Sequence, residues 1–364
     1  MESSQEPETF NSNCGILVLD ISSIFYSKED LAENITAQLS LNDLVKRVAF
    51  AMENVGFMQI TTDTISFDYC REISQTQREY FSLSSTEKNK IKMSQEYPYG
   101  YECNEILSMS FDENDENKGH GNVSKKRSKL GCTQNDLKET FQVCLSKSNS
   151  YCAQTMMPER PVKMGETLMN YYDFMTKLSF KLMELFALAL NLPRNFFEDK
   201  IDTHQSSLRL LNYPQIETVS SGSHKSSDAI KIRASEHSDY GIFTILMQDE
   251  VGGLQIRRSE NLKRLSKWED VKPLKDHFVV NIGDLMMRWT NDKWKSTVHR
   301  VVAKEETFRK TRQSVAFFFN ANSDAIIETI SGCCLTRDNK YDNVLAGEYL
   351  MTKHNSAMNR SIVP

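Results

Sequence analysis

The chain has 364 residues, 39% of them hydrophobic and 26% charged, a globular mixture that excludes a largely disordered or collagen-like protein. Its formal net charge of −5 disfavours bulk binding to phosphate backbones, so nucleic acid is not an expected partner. No apolar run reaches the length of about 18 residues that spans a membrane, and eight cysteines without a Cys-x-x-Cys pair point to reduced thiols in a cytoplasmic setting.

Residues 1–12 are polar and read as a flexible N-terminus. Gly15-Ile-Leu-Val-Leu19 is short, apolar and β-branched, and it stops at Asp20; it reads as a buried strand, not a signal peptide. Leu41, Leu44, Val45, Val48, Ala49, Met52 and Val55 repeat at helical spacing up to Gly56, and Phe57-Met-Gln-Ile60 then reads as a strand. Helices are predicted over 66–82 and 85–93, the second capped by Ser85 or Thr86. Residues 112–136 turn from Asp112, Glu113, Asp115 and Glu116 to Lys125, Lys126, Arg127 and Lys129, with glycines between; this insert reads as a solvated loop, or as a lid over a site. The longest helix is predicted over 164–192, ending at Leu192-Pro193. Short apolar strands then follow at 208–213, 231–236, 242–247, 254–257, 278–281, 298–303 and 313–320, with Gly252-Gly253 read as a hairpin turn. Strands at this spacing suggest a sandwich or barrel.

Of seven histidines, one opens a His-x-Asp, His237-Ser238-Asp239. On a strand, residues i and i+2 share a face about 6.6 Å apart, so imidazole and carboxylate converge on one metal. About 0.4 such tripeptides arise by accident at ordinary residue frequencies, so the motif needs a third ligand. His299 lies 62 residues beyond His237 in the strand-like Ser296-Thr-Val-His-Arg-Val-Val302. Alone it reads as an ordinary packed histidine. Joined to His-x-Asp in a β context it completes two histidines and one carboxylate, the facial triad of non-haem Fe(II) sites that activate oxygen. Cysteine is absent from the set, which weakens a structural zinc reading.

A dicarboxylate cosubstrate would need a cation for its far end, and a guanidinium matches a carboxylate with two parallel hydrogen bonds. Arg-x-Ser occurs four times, starting at Arg233, Arg257, Arg264 and Arg312. Only Arg312-Gln-Ser314 lies just past His299 and runs into an apolar strand, Val315-Ala-Phe-Phe-Phe319; the other three are expected to be surface arginines. Tyr213, in Leu211-Asn-Tyr-Pro214, is a second candidate donor to the carboxylate, or a packing tyrosine before a turn.

With these residues in order, the chain resembles the 2-oxoglutarate- and Fe(II)-dependent dioxygenases of the isopenicillin N synthase-like superfamily. The resemblance runs through Asn212-Tyr-Pro214, His237-Ser-Asp-Tyr-Gly-Ile-Phe-Thr-Ile-Leu246, Gly252-Gly-Leu-Gln255, Phe278-Val-Val-Asn-Ile-Gly-Asp284, Ser296-Thr-Val-His-Arg-Val301 and Arg312-Gln-Ser314. Leu17-Val-Leu-Asp-Ile21, Val55-Gly-Phe-Met-Gln-Ile60, Gly100-Tyr101 and Lys138-Glu-Thr-Phe141 are similar to the family's companion region, so the likeness covers roughly residues 15–350. It implies an α+β fold with a β-dominated core: a double-stranded β-helix, or jelly roll, with flanking helices and a mixed N-terminal region. The implied organisation is a flexible 1–12, an N-terminal region 13–160 carrying the insert, a catalytic core 161–350 and a tail 351–364. Two departures stand out: 13 positions from His299 to Arg312, which reads as a longer hairpin loop at 304–311, and the insert itself.

The resemblance implies Fe(II) held by His237, Asp239 and His299, and 2-oxoglutarate anchored by Arg312, Ser314 and Tyr213. Dioxygen is the oxidant, succinate and carbon dioxide are the by-products, and the substrate is a small, specialised metabolite. Hydroxylation, desaturation and oxidative cyclisation share such a site. Ring closure on an N-prenylated glutamate, as in a kainoid-type synthase, is one narrow outcome that no residue here favours. A 2-oxoglutarate-independent Fe(II) oxidase and a non-catalytic jelly-roll binding protein are the alternatives. On the substrate side, Tyr101 within the aromatic stretch 97–111 and Phe318, which alternates with Phe319, are the candidates. A monomer is expected, since no dimer-specific segment stands out.

Overall fold

The structure, a computed structural model, describes residues 15–64, 66–94, 99–103, 136–145, 156–216, 230–258, 267–333 and 339–357. Strand β1 (Leu17–Asp20) leads to helices α1 (Lys28–Glu33) and α2 (Ile35–Asn54). The Asn34 side chain caps α2 by accepting from the Ala37 amide at 3.2 Å, and Leu41, Leu44, Val48, Ala51 and Met52 form its buried stripe. Gly56, at φ 71°, turns the chain into β2 (Phe57–Thr61).

Helices α3 (Asp68–Phe81) and α4 (Ser85–Lys88) follow. The cap of α4 is Ser84, not Ser85 or Thr86: its hydroxyl accepts from Glu87 while the Glu87 carboxylate reaches back to the Ser84 amide. The helix gives way after Lys88 to a 3₁₀ turn, Asn89–Ile91, so the expected single helix to residue 93 is shorter. Strands β3 (Gly100–Cys103) and β4 (Glu139–Val143) come next, then α5 (Met164–Ala189) and α6 (Glu198–Ile201).

The remaining elements are β5 (Ser207–Tyr213), β6 (Ile230–His237), β7 (Phe243–Gln248), β8 (Leu254–Arg258), β9 (Lys267–Asp270), β10 (Phe278–Ile282), α7 (Asp284–Trp289), β11 (His299–Lys304), β12 (Arg312–Phe319), β13 (Ile326–Ile327), β14 (Val344–Leu345) and α8 (Ala346–Ala357). The end of α8 occupies the first part of the stretch read as a tail.

Two sheets build the barrel. The larger has eight strands in the order β1-β2-β10-β7-β12-β5-β4-β3, and the smaller has four in the order β6-β11-β8-β9. The β1–β2 pair is parallel; the other pairs of these sheets are antiparallel. Alternation along each strand separates two cores. Val315, Phe317 and Phe319 of β12 face the helices, with Phe319 against Phe243 at 5.0 Å and Phe243 against Phe186 of α5 at 5.4 Å. Ala316 of β12, with Leu211 and Tyr213 of β5, Ala234 of β6, Ile256 of β8, Val279 of β10 and Val301 of β11, forms the core between the sheets. This is the double-stranded β-helix, packed on its outer face by α2, α3 and α5.

Two expectations about connections are corrected. Gly252-Gly253 is not a hairpin turn: β7 pairs with β10 and β12 in the larger sheet, whereas β8 pairs with β9 and β11 in the smaller. The positive φ of Gly252 (74°) and Gly253 (92°) carries the chain across the barrel, and a Cβ on Gly253 would fall 2.2 Å from the Val302 carbonyl oxygen. Likewise the 304–311 segment links β11 of one sheet to β12 of the other, through a 3₁₀ turn at Glu305–Thr307. The expected set of reduced thiols is also revised. Cys144 is disulfide-bonded, whereas Cys70 and Cys103 are thiols. Within the 112–136 insert all but Asp136 lies outside the described residues, so its reading as a lid does too.

Candidate metal centre and anion pocket

Three elements deliver the triad. β6 ends at His237, Asp239 follows in the turn to β7, and β11 begins at His299; His237 and His299 are register partners. Ligating atoms of His237, Asp239 and His299 all lie within 4.8 Å of one another. The Asp239 Oδ1 stands 3.9 Å from His237 Nε2 and 3.8 Å from His299 Nε2.

The far side of each group is engaged. His237 Nδ1 lies 2.7 Å from the Ser235 carbonyl oxygen and His299 Nδ1 lies 3.1 Å from that of Thr297. A carbonyl only accepts, so each Nδ1 carries its ring's proton and each Nε2 presents a lone pair. Asp239 Oδ2 accepts from Thr244 Oγ1 and Asn281 Nδ2, both at 2.6 Å, which leaves Oδ1 facing the imidazoles.

Electrostatics agrees with this division. Burial, reinforced by the neighbouring His299, pushes His237 down to about 4, so the ring is neutral near neutral pH. Burial works to raise Asp239, but His299, His237 and the hydrogen bonds from Asn281 and Thr244 outweigh it and hold the carboxyl below its ordinary value. Two imidazole Nε2 atoms and one carboxylate oxygen thus converge. Two imidazoles and one carboxylate of this kind fit a divalent iron.

The expected anchor residues meet at one end of the barrel. Arg312 has no exposed surface; its Nε donates to the Gly252 carbonyl at 2.7 Å, Nη1 to Ser314 Oγ at 3.1 Å and Nη2 to Gln248 Oε1 at 3.3 Å. Tyr213 is its register partner, and the guanidinium carbon sits 5.0 Å from the centre of the tyrosine ring. The four Arg-x-Ser tripeptides separate differently from the expectation. Arg257 is half-buried and pairs with Glu236 at 3.0 Å, and Arg264 lies outside the described residues, but Arg233 is fully buried rather than a surface arginine. The register slips by one residue where Val301 pairs with Ala234 and Val302 with Ile232, so Arg233 is the extra residue of a β-bulge.

The two substrate-side candidates part company. Phe318 faces the barrel interior and is the register partner of Thr244, which binds Asp239. Tyr101 faces the other way, so it is corrected to a packing residue. It sits in the helix-side core, pairs with the outward-facing Phe141, and donates to Glu139 at 2.6 Å. Beside Phe318 lies a cation absent from the sequence reading: Arg209, whose guanidinium carbon is 5.7 Å from the Phe318 ring centre and whose Nε donates to Gln142 Oε1 at 2.6 Å. Its signal was alternation, since residues 209, 211 and 213 share the inner face of β5. Asn281 was legible in the same way from Val279.

A cavity of about 780 Å³ between α3 and the segment Pro273–Phe278 is also lined by Gln248 and Ser314 and does not include the triad.

The family described as the 2OG-Fe(II) oxygenase superfamily matches residues 205–321, and the N-terminal family described as non-haem dioxygenase in morphine synthesis matches residues 18–160. A probable iron/ascorbate oxidoreductase of Dictyostelium discoideum is 30% identical over 333 residues, covering 86% of this chain and 84% of that protein. A 2-oxoglutarate-Fe(II) type oxidoreductase of Aspergillus fumigatus is 30% identical over 318 residues, with the same coverage of 86% and 84%. The crystal structure of a full-length Neurospora crassa protein in complex with α-KG and thymine superposes with a TM-score of 0.75 at 26% identity, covering 96% of this chain and 98% of that one. The chain therefore belongs to the 2OG-Fe(II) oxygenase superfamily, as a dioxygenase whose metal is Fe(II) and whose cosubstrate is 2-oxoglutarate.

Proposed function

We propose that His237, Asp239 and His299 hold the Fe(II), that Arg312, Ser314 and Tyr213 receive the distal carboxylate of 2-oxoglutarate, and that the enzyme oxidises a C–H bond of a small-molecule metabolite. The observation that carries this reading is the convergence of two Nε2 lone pairs and one carboxylate oxygen, each with its far side already hydrogen-bonded. Bound there, Fe(II) supplies the oxygen-activating chemistry, with succinate and carbon dioxide as by-products.

The chain's own residues bind and orient. The Ser235 and Thr297 carbonyls fix the imidazole tautomers, and Thr244 and Asn281 hold Asp239 ionised with one oxygen forward. Arg312, stacked on Tyr213, supplies a buried cation for a dianionic cosubstrate. On the substrate side, Phe318 offers an apolar face, and Arg209 and Gln142 offer hydrogen bonds beside it. These favour a substrate that joins an apolar part to an acidic or carbonyl group. Hydroxylation, desaturation and ring closure all remain within such a site.

The test is anaerobic titration of the Fe(II)-loaded protein with 2-oxoglutarate, followed by visible absorption. A charge-transfer band near ~500–530 nm is expected for a chelated 2-oxo acid on facial-triad iron. It is expected to vanish in His237→Ala, Asp239→Ala and His299→Ala. In Arg312→Ala it is expected to need about 100-fold more 2-oxoglutarate. A full band in His237→Ala, or none in iron-loaded wild type, would overturn the assignment.

A further inference from the structure

Arg233 lies four residues before His237, on the same strand, and has no exposed surface. As the extra residue of the β6 bulge it sits beside Ala234, which with its partner Val301 belongs to the core between the sheets. Its Nη2 donates to the Lys310 carbonyl at 2.6 Å, with longer contacts to Pro214 (3.4 Å) and Thr307 (3.5 Å). Pro214 follows Tyr213, the partner of Arg312, and Lys310 lies two residues before Arg312. The two guanidinium groups therefore occupy the same end of the barrel, and burial followed by the charge of Arg312 lowers Arg233 from its ordinary value.

The rest of the Arg233 head is unmatched. Nε and Nη1 are buried without a hydrogen-bond partner among the described residues, and so is Nε2 of Gln248, whose Oε1 accepts from Arg312. The nearby carboxylate, Asp249, accepts from the Gln313 amide at 2.5 Å and the Val251 amide at 3.0 Å, and makes no ion pair with either arginine among the described residues. Buried donors on a buried charge are costly unless an acceptor meets them. One carboxylate placed between the two arginines would meet them together.

We propose that Arg233 is a second anion-binding residue of the cosubstrate pocket, so that the distal carboxylate of 2-oxoglutarate is received between two buried guanidinium groups, Arg233 and Arg312. This deepens the reading of Arg312, Ser314 and Tyr213 given above and rests on it. The Lys310 carbonyl holds Nη2 and so aims the remaining edge of the head.

The test is anaerobic calorimetry on the full-length, metal-loaded protein with two ligands: 2-oxoglutarate, and 2-oxopentanoate, which carries a methyl group in place of the distal carboxylate. Arg233→Gln, Arg233→Met and Arg233→Lys are compared with wild type and Arg312→Met, with folding checked by circular dichroism. Arg233→Gln retains a donor for the Lys310 carbonyl, and it decides the matter if Arg233→Met does not fold. Loss of Arg233 is expected to weaken 2-oxoglutarate about 30-fold and 2-oxopentanoate less than about 3-fold, with Arg233→Lys recovering part of the difference. A folded Arg233→Gln that binds 2-oxoglutarate as wild type does, or loses both ligands equally, would overturn the proposal and leave Arg233 as a strap for the Lys310 loop. Wild type that binds 2-oxoglutarate no better than 2-oxopentanoate, with Arg312→Met unchanged, would instead sink the parent reading.

Discussion

His204 shows how burial alone sets a residue's chemistry. Its ring stacks on Tyr172 at 6.1 Å and meets the edge of Phe180 at 5.7 Å, while Nδ1 lies 2.8 Å from Ser206 Oγ. Burial pushes it down to about 4. The unfolded chain takes up this proton near ~6.5, so His204 contributes full stability above that pH and loses it as the pH falls toward the folded value. Unfolding free energy from urea titration is therefore expected to drop between pH 7 and pH 4.5 by about 2–3 kcal/mol more in wild type than in His204→Gln. Equal drops would show that the ring is not buried neutral. The candidate triad was legible because His237 and Asp239 stand two residues apart and His299 lies in a strand-like stretch. Arg233 was not, because its tripeptide looks like any other Arg-x-Ser and the bulge that aims it depends on pairing with β11.

Among the elements, short apolar strands were legible to within a residue or two: 208–213 became Ser207–Tyr213, and 278–281 became Phe278–Ile282. β3 and β4 went unassigned. Gly100–Cys103 and Glu139–Val143 carry few apolar residues, and their pairing with each other and with β5 is what makes them strands. Connections were the least legible, because a Gly-Gly turn reads alike whether it closes a hairpin or crosses between sheets. Gly56, between α2 and β2, is the joint where an element boundary meets the site. A Cβ there would fall 1.9 Å from the Lys295 carbonyl oxygen, and Thr297, two residues on, orients His299. Gly56→Ala is expected to lower stability by about 2–4 kcal/mol in denaturant titration and to weaken Mn(II) binding alongside. Unchanged stability would mean that this junction yields freely.

At the scale of the molecule, the region 13–160 is not set apart from the barrel: it supplies β1, β2, β3 and β4, half of the eight-stranded sheet. Far-UV circular dichroism and the fluorescence of buried Trp289 and Trp294 are therefore expected to report one coincident thermal transition. Mn(II) with 2-oxoglutarate, at about 100 times its dissociation constant, is expected to add about 2.7 kcal/mol and raise the midpoint by a few degrees, an increment absent in Asp239→Ala. Two separated transitions would show that the N-terminal strands stand alone. The strand order has a further consequence, for biosynthesis. β12 is the last of the eight to be translated, yet it belongs between β7 and β5. Until Phe319 clears the ribosome, a nascent chain holds two sheet fragments, β1-β2-β10-β7 and β5-β4-β3, with the facing edges of β7 and β5 bare. The strand that joins them also brings Arg312 and Ser314, so the last act of folding and the arrival of the two residues proposed to receive the cosubstrate carboxylate coincide.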